Sequence, residues 1–170
     1  MRLLSYNIDM SNILLAIAIV ILLTFPARGD VLVSGLPNFQ TVSEWSKYLK
    51  ANFTYQAEEN REDYWKTPEE TIRDKGGDCE DLAILSQVEL KKLGVESKLI
   101  LLELKDKDGK KGGHVFCVYF TDKGATIFDC THTVKSNAKD VVGVLNDKYP
   151  TWTRWTETKD HREFWRWNWR

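Results

Sequence analysis

The chain has 170 residues, 42% of them hydrophobic and 29% charged, with a net charge of −1. That is enough for one compact domain with a real core and too little for two comfortable ones. The balanced charge removes the electrostatic ground for a nucleic-acid partner, and the composition is ordinary for a folded globular protein.

Ile13 to Phe25 is uninterrupted and almost wholly apolar, and Pro26-Ala27-Arg28-Gly29-Asp30 follows it. A membrane span needs roughly 17–25 residues, so this run is short for one. It suits the apolar region of a secretory signal, with Ala27 and Gly29 as the small residues before a cut near Asp30. The expected organisation is a signal peptide over 1–29 and one domain over 30–170, periplasmic or secreted. An uncleaved leader would act as an anchor and keep the domain close to a membrane. The three cysteines imply either one pair and one free thiol or three free thiols. If Cys79 is the working thiol, Cys117 and Cys130 are the candidate pair.

Asp30 to Gln40 reads as an extended lead-in broken by Gly35 and Pro37. Thr41 or Ser43 can cap a helix over Glu44 to Gln56, with Trp45, Tyr48, Leu49 and Phe53 as its apolar stripe. Asn52-Phe53-Thr54 matches a glycosylation acceptor, which matters only in a eukaryotic secretory pathway. Thr67-Pro68-Glu69-Glu70 is a helix start, with a capping box and proline at the first helical position. That helix must end by Gly76-Gly77. The next begins at Asp78 and runs to Leu93, where Gly94 stops it, and its apolar positions recur at helical spacing. Cys79 therefore falls in a helical first turn, where unpaired N–H groups and the helix dipole favour a thiolate.

The period then changes. Lys98 to Leu104 is a mostly apolar strand, Lys105 to Gly113 a charged loop, and His114 to Phe120 a second strand. Ala125 to Cys130 is a third, and the short link Thr121 to Gly124 makes the last two an antiparallel hairpin. Alternation then puts His114 and Asp129 on one face and Cys117 and Cys130 on the other. The triad members share a face on this reading. Asp140 to Leu145 is a short helix ending before Tyr149-Pro150. In the tail, Trp165 to Arg170 alternates aromatic and polar residues like a strand. That strand would pack on the sheet, form a substrate shelf, or meet a membrane interface.

A thiol, an imidazole and a carboxylate in this order are the parts of a nucleophilic triad, although buried cysteines and core histidines are common without one. The segments Glu62 to Glu70, Gly76-Gly77-Asp78-Cys79-Glu80-Asp81-Leu82-Ala83, Leu93-Gly94, His114 and Phe128-Asp129 resemble the bacterial transglutaminase-like cysteine proteinases. The closest likeness is to the LapG type, periplasmic proteases that release large adhesins from the cell surface. The resemblance implies an α+β, papain-like or transglutaminase-like core, with a nucleophile-bearing helix packed on an antiparallel sheet. It implies Cys79 as nucleophile, His114 as general base and acid, and Asp129 as the orienting group.

Asp78, Glu80 and Asp81 crowd the thiol with negative charge, which should raise its pKa. Either they point away and cap the helix, or a calcium ion neutralises them, as similar residues do in LapG-type proteins. A zinc set of His114, Cys117, Cys130 and His132 is disfavoured, because alternation separates His114 from the others. The reading is an exported thiol hydrolase cleaving amide bonds of a protein or peptide through an acyl-enzyme, with no cofactor required for the chemistry. Its alternatives are an amide-to-amine transferase on the same triad, and a transglutaminase-like module that has lost catalysis and binds protein or cell wall.

Overall fold

The computed structural model describes residues 35–58 and 64–158. The apolar leader, Glu62-Asp63 and the alternating tail Trp165 to Arg170 lie outside the described residues. Among the described residues no helix is long and apolar enough to cross a membrane.

Helix α1 (Val42–Asn52) starts on a capping box: Glu44 N–H donates to Thr41 Oγ1 at 3.2 Å and Thr41 N–H to Glu44 Oε2 at 3.3 Å. It stops short of Gln56 because Phe53 turns to extended backbone. The chain then forms β1 (Thr54–Tyr55), which pairs in parallel with β2 (Gly76–Gly77). This bridge explains the double glycine. A Cβ on Gly76 would sit 2.4 Å from the Thr54 carbonyl oxygen. Between the two strands lies α2 (Pro68–Asp74), with Thr67 and Glu70 as its capping box and Lys75 in a left-handed conformation at its end. Helix α3 (Cys79–Lys92) follows at once, with Asp78 as N-cap.

Five antiparallel strands form the main sheet: β3 (Lys98–Lys105), β4 (Lys111–Thr121), β5 (Gly124–Asp129), β6 (His132–Ser136) and β7 (Trp152–Thr158), in the order β6-β5-β4-β3-β7. Helix α4 (Val141–Lys148) lies between β6 and β7 in sequence. Strand β4 begins three residues before His114. The expected loop shrinks because Asp106 Oδ1 accepts the N–H groups of Asp108 at 2.9 Å and Lys110 at 2.8 Å, which closes the turn early.

The sheet is apolar on both faces. On one, Leu99, Leu101, Val115, Cys117 and Phe128 meet Trp45 and Leu49 of α1 and Leu82, Ala83, Leu85 and Leu90 of α3. On the other, Ile100, Leu102, Phe116, Val118 and Ile127 meet Val141, Val144 and Leu145 of α4. The fold is α+β, with the cysteine helix packed on an antiparallel sheet. Burial on both faces fits the near-continuous apolar runs in β3 and β4, which amphipathic strands would not show.

Candidate active site

Gly77 and Asp81 set the start of α3. Asp81 Oδ1 accepts the Lys66 N–H at 2.7 Å and Oδ2 the Asp78 N–H at 3.3 Å. A carboxylate at this place satisfies orphan donors and complements the positive end of the helix. A Cβ on Gly77 would lie 2.4 Å from Asp81 Oδ2, so glycine is needed for that side chain to fold back. Cys79 then occupies the first helical position. Its thiol donates to Glu80 Oε2 at 3.0 Å, and its sulfur accepts the backbone N–H of Val115.

That contact depends on where a ladder stops. Strand β4 pairs with β3 along its length to Lys111, but with β5 only as far as Cys117 opposite Phe128. Beyond that point the β5 side of β4 is open, and the Val115 N–H meets the thiol. His114 is the neighbouring residue. Its Nε2 lies 2.9 Å from Asp129 Oδ1, and Tyr149 donates its hydroxyl to Asp129 Oδ2 at 2.8 Å.

His114 and Asp129 lie on the sheet face of Phe116, as the register requires, whereas Cys79 packs with the cluster on the opposite face. The expectation that the three members share a face is therefore corrected. Cys79 lies with the cluster on the other side of the sheet, and the His114–Asp129 pair sits where the β4–β5 ladder ends. The strand alternation governs only His114 and Asp129, because Cys79 is on a helix that the parity rule does not reach.

The electrostatics also differ from the sequence expectation. Burial, then the negative charge and hydrogen bond of Glu80, push the Cys79 thiol above its ordinary range, and the Val115 N–H only partly offsets them. A helix N-terminus alone would have lowered it. Glu80 is itself raised to about 9 by burial and by the charge of neighbouring Asp78, with which it shares a hydrogen bond. Burial works to raise Asp129, but the His114 contact and the Tyr149 hydroxyl hold it below the usual carboxylate range.

Of the carboxylates expected to hold calcium, Asp78 and Glu80 adjoin each other and Asp81 is turned back into the helix start. The three do not converge. Among the described residues no group of three or more His, Cys, Asp or Glu side chains is arranged to hold a metal ion. All three cysteines are free. The candidate Cys117–Cys130 pair does not form, because Cys117 lies opposite Phe128 and Cys130 is two residues further on, in the turn after β5.

Sequence reasoning passed over two neighbours of the site. In the sequence Tyr149 is marked only as lying beyond the short helix Asp140 to Leu145. Tyr55 is 55% exposed although the charges of Cys79, Asp78, Cys130 and Glu80 all reach it, so the β1–β2 bridge sets an open aromatic ring beside the thiol. No sequence motif marks either residue; only the tertiary pairing does.

The family model described as bacterial transglutaminase-like cysteine proteinase matches residues 33–165. Among solved structures, calcium-bound Legionella pneumophila LapG is 22% identical, with a TM-score of 0.46 over 66% of this chain and 62% of that one. The EGTA-treated form is 26% identical, with a TM-score of 0.43 over 56% of this chain and 55% of that one. A further LapG structure from the same organism is 25% identical, at 0.43 over 58% and 60%. The chain thus spans between 55% and 62% of the length of these LapG structures. No curated protein matches it. These likenesses are partial, and the assignment rests on the family match, which covers well over half of the chain.

Proposed function

The chain belongs to the bacterial transglutaminase-like cysteine proteinases, and from that premise we propose that it is an exported cysteine peptidase acting on a protein or peptide. Cys79 is the nucleophile, His114 the general base and acid, and Asp129 the group that orients the imidazole. The thiol proton passes to His114 Nδ1, and the sulfur attacks the scissile carbonyl. The backbone N–H of Cys79, at the start of α3, supports the oxyanion. His114 returns the proton to the leaving amine, which departs and leaves an acyl-enzyme. Water then resolves it, with His114 as base.

The observation that carries this reading is the His114–Asp129 contact of 2.9 Å at the residue beside Val115, whose N–H holds the Cys79 sulfur. In the resting arrangement the thiol faces Glu80. Turning it toward His114 is the step that readies the site.

Calcium is proposed at Asp78 and Glu80. Two buried carboxylates, of which Glu80 is raised to about 9 by burial and by the charge of Asp78, are a place where a cation would be stabilised. Two side chains are too few for a full calcium shell, so backbone carbonyls or water would complete it. Such an ion would neutralise the charge that keeps the thiol protonated.

The test is the alkylation rate of Cys79 against pH, with and without calcium, in the wild type and in His114→Ala. The expected result is a slow thiol without the ion and, with it, an apparent pKa below the free value of about 8.5 that disappears in His114→Ala. A thiol that reacts alike in both proteins under both conditions would remove the basis for catalysis and favour a binding module.

A further inference from the structure

Asp129 uses both carboxylate oxygens: Oδ1 meets His114 Nε2, and Oδ2 accepts the Tyr149 hydroxyl. We infer that Tyr149 is a positioning residue for the His114–Asp129 pair. Its hydroxyl fixes the rotation of the carboxylate, and its ring limits the tilt of the imidazole. The inference rests on the triad reading above and adds a fourth residue to it.

The terminal torsion of an aspartate is broad, so one hydrogen bond leaves the carboxylate free to turn. The Cys130 thiol also bonds to this carboxylate, and it is the donors at two different oxygens, His114 and Tyr149, that leave a single orientation. The Tyr149 ring stacks on Phe116 at 4.9 Å with an interplanar angle of 14° and lies 5.7 Å from the His114 ring. Phe116 and His114 project from the same face of β4, so the tyrosine sits over both.

Tyr149 is itself held. Its N–H donates to the Leu145 carbonyl at 2.8 Å, and its own carbonyl accepts the Trp152 N–H at 2.9 Å. The end of α4 is tied to the sheet by Ser136, which donates to Asp147 Oδ2 at 2.6 Å. A second tie is Trp152 Nε1, which donates to Asn146 Oδ1 at 3.0 Å. Helix α4 covers the sheet face opposite α3, so Tyr149 is its link to the chemistry. Even a half-buried tyrosine usually finds an acceptor for its hydroxyl. Here the acceptor is the carboxylate already engaged with the imidazole, and that separates a positioning role from simple burial.

Tyr149→Phe keeps the ring and its stack and removes only the donor. Three readouts are needed: the alkylation rate of Cys79 by iodoacetamide, resolved from Cys117 and Cys130 by peptide mass spectrometry; the downfield imidazole N–H proton of His114 by NMR; and the melting temperature. With calcium present, the rate is expected to fall about 10-fold, the scale of one hydrogen bond to a charged group. The imidazole proton should broaden or shift while the melting temperature holds. Wild-type values for both rate and resonance, while His114→Ala and Asp129→Asn still slow the thiol, would overturn the inference and leave the triad standing. A slower rate with a matching loss of stability and an unmoved resonance would overturn it too, as a structural role only. If His114→Ala and Asp129→Asn leave the rate unchanged, the triad reading itself fails and this inference falls with it.

Discussion

Gly77→Ala tests how the chain places its nucleophile. A Cβ there would lie 2.4 Å from Asp81 Oδ2, 2.5 Å from Asp81 Cβ and 2.9 Å from Asp81 Cγ. Contacts that short cannot be absorbed, so the Asp81 side chain must leave. It then gives up the Lys66 N–H at 2.7 Å and the Asp78 N–H at 3.3 Å. Losing a helix cap costs about 1 kcal/mol, and each hydrogen bond to a charged group contributes about 1.5–3 kcal/mol. Water recovers part of this, and the expected destabilisation is about 3 kcal/mol. Urea unfolding of Gly77→Ala, Asp81→Gly and the double variant completes a cycle. Because Asp81→Gly removes the side chain the new methyl strikes, the double variant should be little less stable than Asp81→Gly alone. Additive costs, or a Gly77→Ala protein within about 0.5 kcal/mol of the wild type, would refute the argument.

Three further outcomes follow from the same packing. Asp129 is held below its ordinary value of 3.8, chiefly by His114 once burial is overcome, so its share of stability is complete above that unfolded value and is lost as pH falls through the depressed one. Asp129→Asn should therefore flatten the acid limb of stability in denaturation series taken from about pH 6 to about pH 2. Phe128 is fully buried against α3, and Phe128→Ala should cost about 3–5 kcal/mol by chemical denaturation. Gly124 has φ +124 and would place a Cβ 2.2 Å from the Ser136 carbonyl oxygen, so Gly124→Ala should cost at least about 2 kcal/mol and lower the thermal midpoint.

How much of this was legible follows the range of each interaction. The capping box at Thr67 is local, and the structure starts a helix there; for the first helix Thr41 and Ser43 were both candidate caps, and the structure uses Thr41. The His114–Asp129 face was legible because the link from Thr121 to Gly124 is short and fixes the register. Strands β6 and β7 were not. His132 to Ser136 has weak strand character of its own, and Cys130, at φ 50, turns the chain with a residue that rarely adopts that conformation. Strand β7 adds to the sheet through β3, a partner about fifty residues away in sequence whose pairing no local pattern announces. Tyr149 was hidden for the same reason: its partner Asp129 is twenty residues distant on another element.

The proposed site lies where a ladder ends early. Had β5 continued to pair with β4 past Phe128, the Val115 N–H would be spent on a strand carbonyl and lost to the Cys79 sulfur. The left-handed turn at Cys130 instead carries the chain into β6 directly after Asp129, so the carboxylate is the last side chain of β5. On the proposed mechanism, the thiol from one face of the sheet and the imidazole from the other would meet at that end. The two glycines before Cys79, the open edge of β4 and the turn at Cys130 are therefore parts of one arrangement, though no stretch of sequence holds more than one of them.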